Sequence, residues 1–286
     1  MRLTEIINGG KPSLSFEIFP PKTTANFESV RSAAAQMARL NPSYMSVTYG
    51  AGGGTSQYTF DIASELLKDG VTPLAHLTCI SATKETVRSQ LETLKSDGIE
   101  NILALRGDIV AGNENAPSDY KHASELTADI RDFGGFCIGG ACYPESHPDS
   151  KNSIEDIENL KKKVESGCEF LTTQMFFDNN ILYNFLYRML KAGIDVPVVA
   201  GIMPVTNPVQ IKRICSISGR ALPQRFCRIV DRYGDSPEAM KQAGIAYATE
   251  QIIDLYANGI NAVHIYSMNK PDVAAKIKEN LSEILK

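Results

Sequence analysis

Short apolar runs recur along the chain, and nearly every run ends in a polar or charged residue. The runs are rich in Val, Ile, Leu and Phe, which is typical of parallel strands covered on both faces. The stretches between them carry the apolar spacing of helices, as in Asn26–Leu40. The eight runs are Leu14–Phe19, Tyr44–Tyr49, Pro73–Thr78, Asn101–Leu105, Phe136–Cys142, Phe170–Gln174, Val196–Ile202 and Ala262–Tyr266.

This alternation of strand and helix predicts an α/β fold, a (β/α)8 TIM barrel. We expect one extra helix between strands 7 and 8, at Val209–Ser218, joined by Leu222–Asp235 to a second helix at Glu238–Tyr256. In such barrels the chemistry lies at the carboxyl ends of the strands. The residues at those ends are Glu17, Thr48, Tyr49, His76, Arg106, Asp108, Tyr143, Gln174 and Tyr266.

Length and composition narrow the class of protein. A chain of 286 residues fits one barrel, so we predict a single domain over residues 1–286. The net charge of −4 and the absence of a basic stripe argue against nucleic acid as a partner. No apolar stretch reaches the ~18 residues that a membrane span needs. Six cysteines without a CxxC pair, and four histidines without HxH or HExxH spacing, give no sign of a metal site. We therefore expect a cytoplasmic protein.

Strand alternation makes Glu17 the first candidate for chemistry. Leu14, Phe16 and Ile18 lie on one face of the first strand, and Ser15 and Glu17 lie on the other, which faces into the barrel. An inward carboxyl group with apolar neighbours is desolvated, so its pKa rises and it becomes a candidate general acid. The alternative is a structural glutamate paired with a buried cation.

Two loops after strands are candidates for ligand contacts. Arg106-Gly107-Asp108 follows the fourth strand, where Arg106 could hold a phosphate or carboxylate and Asp108 could accept a proton-bearing ring nitrogen. The alternative is a local surface ion pair. The Gly-rich loop Thr48–Thr55 is neither a Walker motif nor GxGxxG, so it is either a plain loop or one that touches a cofactor.

Another polar group combines a strand-end loop with a helix face. Tyr143 and His147 precede a predicted helix on which Asp156, Asn159 and Lys163 share a face. Such a set suits a ribose, diphosphate or amide-rich ligand, although an ordinary solvated helix explains it too. Gln174, at the end of the sixth run, can both donate and accept hydrogen bonds. His76 ends the third run, where a core histidine is the simpler interpretation.

Several motifs, in this order and spacing, resemble the 5,10-methylenetetrahydrofolate reductase family in its short bacterial form, which has only the catalytic domain. The resemblance covers nearly the whole chain. The motifs are SFEIFPPK at Ser15–Lys22, SVTYGAGGGT at Ser46–Thr55, LRGD at Leu105–Asp108, YPESHP at Tyr143–Pro148, TQMFFDN at Thr173–Asn179 and GIMPVTN at Gly201–Asn207.

The resemblance implies a barrel that binds FAD and works by a ping-pong reaction. NADH or NADPH reduces the flavin and leaves; methylenetetrahydrofolate then enters the same space and becomes 5-methyltetrahydrofolate, the methyl source for methionine synthesis. The resemblance also implies a homo-oligomer, often a tetramer.

The same resemblance assigns roles to single residues. Glu17 matches the general acid that protonates N10 of the folate, and Asp108 matches the aspartate near flavin and pterin. Gln174 matches the amide that contacts folate and nicotinamide in turn, and Gln210 a further substrate position; Thr48 and Lys270 are further substrate-site candidates. Residues that match FAD-contacting positions are Thr48, Tyr49, Ala51, His76, Arg106, Gly107, Ala123, Tyr143, His147, Asp156, Asn159 and Lys163.

Two positions depart from the family pattern. Ile214 stands where some members stack a phenylalanine on substrate, and Lys270 stands where others carry an arginine that can form a bidentate fork. Three other classes of protein remain open on the residues alone. These are a flavin-free folate-binding or methyl-transferring barrel, a metal lyase using Glu17, Asp108 and His147, and a non-catalytic barrel, which inward charges at the strand ends disfavour.

Overall fold

Eight parallel strands close into a barrel in sequence order, so the predicted (β/α)8 fold is confirmed. The structure is a computed structural model that describes residues 1–21, 23–49, 56–108, 118–209 and 222–286. The strands are β1 Ser13–Ile18, β2 Met45–Val47, β3 Pro73–Thr78, β4 Asn101–Leu105, β5 Cys137–Cys142, β6 Phe170–Thr173, β7 Val198–Ile202 and β8 Ala262–Ile265.

Helices follow the strands and cover the outside of the barrel. A first helix precedes β1 and packs Leu3 and Ile7 under the barrel floor. The α-helices of the described residues are α1 Leu3–Ile7, α2 Phe27–Ala38, α3 Ser56–Lys68, α4 Lys84–Ser96, α5 Ala123–Phe133, α6 Ser153–Glu165, α7 Asn179–Lys191, α8 Gln224–Tyr233, α9 Pro237–Ala257 and α10 Pro271–Asn280, and a 3-10 turn at Thr24–Asn26 precedes α2.

The region between β7 and β8 differs from the prediction. The segment expected to be a connection, Leu222–Asp235, contains the helix α8. Its buried residues Phe226 and Val230 are four positions apart and pack against Val205 and Met240, so a short apolar stripe among charged residues is enough to form it. The helix expected at Val209–Ser218 lies almost entirely outside the described residues.

The faces of β1 alternate as predicted. Leu14, Phe16 and Ile18 belong to the large apolar core between strands and helices. Ser15 and Glu17 point into the barrel, and both are buried. Register then decides their neighbours: Glu17 pairs with Ser46 on β2, and Ser15 pairs with His264 on β8. The closure of the barrel therefore brings polar residues from three distant parts of the sequence into its interior.

Candidate active site

A cavity of about 390 Å³ opens at the carboxyl ends of the strands. We call it the Glu17 cavity. Its wall is mainly apolar and includes leucine, methionine and phenylalanine side chains, whereas Glu17, His76, Thr172 and Gln174 add polar atoms from β1, β3 and the end of β6. An apolar wall with a few convergent polar groups is the usual composition of a small-molecule site.

Glu17 lies in this cavity with only 5% of its surface exposed. Burial raises the pKa of its carboxyl group from 4.5 to about 8, whereas a hydrogen bond donated by Ser46 would act in the opposite direction. Among the described residues, the basic side chains within 4.0 Å of its carboxyl group are two histidines. His76 Nε2 is 3.9 Å and His264 Nε2 is 4.0 Å from Glu17 Oε2. Burial lowers the pKa of both histidines to about 3. All three groups are therefore uncharged at neutral pH, and the alternative of a glutamate held by a buried lysine or arginine finds no support in the described residues.

Buried hydroxyl groups hold His264 on both sides of its ring. Ser15 Oγ is 2.7 Å from His264 Nδ1, and Ser46 Oγ is 2.9 Å from His264 Nε2. Tyr44 stacks on the imidazole with ring centres 5.5 Å apart, and Tyr266 meets it edge-on. These contacts fix the ring in the wall beside Glu17.

Two polar atoms in the wall have no hydrogen-bond partner among the described residues. They are His76 Nε2 and Thr172 Oγ1, and the residues of both line the Glu17 cavity. Buried polar atoms of this kind are costly unless a ligand or water pairs with them. The wall is therefore built to meet a polar ligand at these two points.

Gln174 lies half-buried in the same cavity as Glu17. Its backbone N–H donates to Cys142 O at 2.7 Å, which holds it at the end of β5, and its side-chain oxygen accepts from Met175 N at 2.9 Å. Beside it, Tyr266 Oη donates to Thr173 O at 2.6 Å and closes β6 against β8.

A second cavity of about 470 Å³ adjoins the first, because Ala141 and Tyr143 line both. We call it the Lys163 cavity. Seven residues that match FAD-contacting positions lie around it. They are Arg106, Ala123, Tyr143, His147, Asp156, Asn159 and Lys163.

Contacts within the Lys163 cavity order its polar groups. Lys163 Nζ donates to Ala141 O at 2.6 Å, and burial lowers the pKa of this ammonium. Asp156 Oδ1 accepts from His147 N at 3.1 Å, which ties the loop after β5 to α6. Arg106 forms an ion pair of 2.9 Å with Asp149. The cavity thus combines basic side chains and carboxylates with aromatic and amide groups.

Several predicted site residues do not line either cavity in the described part of the chain. Tyr49 Oη accepts from Gln90 Nε2 at 2.8 Å, on the side of α4, and the backbone carbonyl of Thr48 accepts from Thr59 Oγ1 at 2.9 Å. Asp108 is exposed beyond β4, next to the half-buried Gly107. Lys270 donates to Thr206 Oγ1 at 2.8 Å. Glu17 and Gln174 therefore line one cavity, and Asp108 is not among the residues that line it. Ala51, Gln210 and Ile214 lie outside the described residues.

Sequence reasoning missed four residues that shape the Glu17 cavity. Ser46, His264 and Thr172 face the barrel interior, which strand alternation alone could have shown, but only the register places Ser46 opposite Glu17 and His264 opposite Ser15. Asn269 exchanges two hydrogen bonds of 2.8 Å with the backbone of Phe19, a residue of the cavity wall. In the sequence its only signal was an asparagine shortly after the eighth apolar run; the structure gives it a positive φ of 55°, which asparagine tolerates.

The described ranges contain neither a metal-binding cluster nor a membrane-spanning helix. No group of three or more His, Cys, Asp or Glu residues there could hold a metal ion. Within the same residues, no helix is both long and apolar enough to cross a membrane.

Comparison with known proteins identifies relatives along the whole chain. The sequence model of the methylenetetrahydrofolate reductase family matches residues 2–282. The 5,10-methylenetetrahydrofolate reductase of Escherichia coli K12 is 33% identical over 273 residues, which cover 95% of this chain and 91% of that protein. Methylenetetrahydrofolate reductase (NADH) 1 of Zea mays is 33% identical over 300 residues, covering 99% of this chain and 50% of that protein. The chain thus spans about half the length of the plant relatives.

Among solved structures with this fold is a folate-binding protein. It is an uncharacterized protein from Clostridium thermocellum that binds two copies of 5-methyl-5,6,7,8-tetrahydrofolic acid. The two align with a TM-score of 0.64 over 98% of this chain and 99% of that chain, at 14% identity, which supports the fold alone. The family match over nearly every residue goes further, and by it the chain belongs to the methylenetetrahydrofolate reductase family.

Proposed function

We propose that this chain is a flavin-dependent 5,10-methylenetetrahydrofolate reductase that uses NADH or NADPH. The observation that carries the proposal is Glu17, a buried carboxyl group with a pKa of about 8 that faces an apolar cavity. Such a group is protonated at neutral pH and can donate its proton to a bound amine. The names of the bacterial and plant relatives support the choice of substrate.

The adjoining cavities fit FAD. Arg106 and Lys163 suit a diphosphate, and Asp156 and Asn159 suit the hydroxyl groups of a ribose or the amino edge of an adenine. His76 Nε2 and Thr172 Oγ1, which have no hydrogen-bond partner among the described residues, could bind the polar edge of a planar ring that enters the Glu17 cavity. When bound, FAD supplies two-electron transfer between a nicotinamide and the folate.

In this reaction Glu17 is the catalytic acid. It would protonate N10 of methylenetetrahydrofolate and so open the five-membered ring, leaving an iminium at N5 of the folate. The apolar wall excludes water, which protects that cation from hydrolysis. Gln174, in the same cavity, would orient each ring by donating and accepting hydrogen bonds.

One cavity at the strand ends would serve both substrates. The Glu17 cavity is the part of the described structure where the proposed acid and Gln174 meet, so nicotinamide and pterin would occupy it in turn. This supports a ping-pong order. The proposed substrate contacts also include Thr48, Lys270 and Gln210. The proposed cofactor contacts also include Tyr49 and Ala51, and Asp108 is proposed to lie near flavin and pterin. The cytoplasmic location and the homo-oligomer also stay predictions.

The half-reactions of Glu17→Gln test the function. Anaerobic stopped-flow absorbance would follow flavin bleaching by NADH or NADPH and its recovery with methylenetetrahydrofolate. We expect bleaching close to that of the unsubstituted protein, because hydride transfer from nicotinamide needs no acid. Recovery should fall by at least about a hundredfold, the usual contribution of a general acid.

Two results would contradict the proposal. If both half-reactions fell together, Glu17 would not be the acid for folate. A purified protein that binds no flavin would point instead to a flavin-free folate-binding or methyl-transferring barrel.

A further inference from the structure

The hydrogen bonds of Ser15 fix the position of the proton on His264. Ser15 Oγ lies 3.0 Å from the carbonyl oxygen of Val263 and 2.7 Å from His264 Nδ1. A carbonyl can only accept, and a hydroxyl has one hydrogen, which Ser15 therefore gives to Val263. The short contact to His264 then requires Nδ1 to be the donor.

The same reasoning continues on the other side of the imidazole. Burial keeps His264 neutral, so it carries one N–H, and Nε2 holds a lone pair. Ser46 Oγ lies 2.9 Å from Nε2 and must donate its only hydrogen there. Ser46 is the register partner of Glu17 on β2, so the two side chains lie side by side in the barrel interior, and the hydroxyl can meet the carboxyl group. It can therefore offer Glu17 only a lone pair.

A lone pair stabilises a protonated carboxyl group, which can donate to it, and repels a carboxylate. We propose that Ser15, His264 and Ser46 form a one-way hydrogen-bond chain that keeps Glu17 in its protonated form, ready to act as an acid. The three are positioning residues, since they act through Glu17. The link to folate reduction rests on the proposed function, but the protonation of Glu17 itself does not.

The chain also decides how Glu17 regains its proton. It ends at the carbonyl oxygen of Val263, which has no proton to give and cannot pass one on. A proton lost by Glu17 must therefore return from the side of the cavity.

Other groups near Glu17 do not replace this effect. His76 is neutral, and its Nε2 is 3.9 Å from Glu17, beyond hydrogen-bonding distance. Tyr266 gives its hydrogen to Thr173 O. Tyr44 faces the ring of His264, and its hydroxyl remains protonated because burial raises its pKa.

Ser15→Ala tests the hydrogen-bond chain at its far end, because His264 and Ser46 lie between Ser15 and Glu17. Without the Ser15 oxygen, nothing holds the hydrogen on Nδ1; the Nε2–H form of His264 becomes available, and Ser46 can turn its hydrogen to Glu17. The midpoint of Glu17 titration should then fall by about one pH unit. The infrared carboxyl band that disappears in Glu17→Gln, followed against pH in the full chain, measures that midpoint.

Ser13→Ala is the matched control. Ser13 is also buried on β1 and also donates to a backbone carbonyl beside β8, that of Asn261 at 3.2 Å, but it belongs to no hydrogen bond with His264. Ser13→Ala should leave the midpoint of Glu17 titration unchanged. Ser15→Thr keeps the hydroxyl group, so its midpoint should equal that of the unsubstituted protein. Equal midpoints for Ser13→Ala and Ser15→Ala would overturn the proposal.

The tautomer of His264 tests the direction of the hydrogen-bond chain independently, in the unsubstituted protein. Nitrogen-15 NMR of labelled histidine should show Nδ1 protonated and Nε2 bare at neutral pH. The opposite tautomer would overturn the chain even if Ser15→Ala failed to fold. Neither readout uses folate turnover, so an incorrect proposed function would leave both results interpretable.

Discussion

Arg106 shows how a single contact in the Lys163 cavity can control ligand binding. Its guanidinium pairs with Asp149 at 2.9 Å, and both residues line the cavity. An anionic group of FAD would compete with the Asp149 carboxylate for the same donors. The pair is partly exposed, so the competition is modest and weakens with salt.

Asp149→Asn should therefore tighten FAD binding. We expect the dissociation constant to fall about two- to fivefold at low salt, the range for an exposed ion pair. Flavin fluorescence during titration of cofactor-free protein measures it. Asp132→Asn removes a comparable exposed partner from Arg131 and should have no effect. Unchanged or weaker binding in Asp149→Asn would show that Arg106 does not hold the cofactor.

Individual site residues were predictable to different degrees. Strand alternation alone placed Glu17 inside the barrel, and its raised pKa followed from that position. The set around Lys163 came from family resemblance, since a polar helix face has several explanations. His264 and Ser46 could not be paired with Glu17 from sequence, because register between strands so far apart is set only when the barrel closes.

At the scale of elements, the loop after β8 holds the end of β1 in place. Asn269 accepts from Phe19 N and donates to Phe19 O, both at 2.8 Å, which continues the β1–β8 pairing beyond the last strand residues. Its backbone has a φ of 55°, a conformation that asparagine tolerates better than most residues. One side chain thus positions part of the cavity wall.

Asn269→Ala should lower the free energy of unfolding by roughly 2–3 kcal/mol, since it removes two hydrogen bonds and leaves backbone strain. Urea unfolding measures the change. Asn41→Ala isolates the strain, because Asn41 has a φ of 48° and is exposed; it should cost only about 1 kcal/mol. Equal losses in the two variants would mean that the Asn269 side chain contributes nothing.

Element type was easier to predict than element limits. All eight apolar runs contain a strand, but the run Tyr44–Tyr49 yields only Met45–Val47, because Tyr44 already belongs to the barrel floor. The helix Gln224–Tyr233 was missed because four arginine and aspartate residues surround its two buried positions. A short apolar stripe between charged residues cannot be recognised as a helix from sequence until the residues that it packs against are known.

At the scale of the whole molecule, barrel closure buries three titratable groups whose pKa values move in opposite directions. In the unfolded chain, His76 and His264 bind protons below their ordinary pKa of 6.5. In the folded protein their pKa is lowered to about 3, so they stay neutral between pH 6.5 and pH 3. The free energy of unfolding therefore rises with pH across that window. Glu17 has a pKa of 4.5 in the unfolded chain, and burial raises this pKa to about 8 in the folded protein. Its contribution to stability is therefore complete below 4.5 and is lost as pH rises towards 8.

The pH dependence of unfolding for Glu17→Gln measures this central feature most directly. Glutamine cannot ionise, so the stability of the variant relative to the unsubstituted protein should rise between pH 5 and pH 8. The rise should be on the order of 3 kcal/mol, from linkage across the shifted pKa. Urea unfolding of both proteins at matched ionic strength gives the difference. A difference that stayed constant or fell over this range would show that Glu17 is already ionised in the folded protein, and would contradict its assignment as a neutral acid.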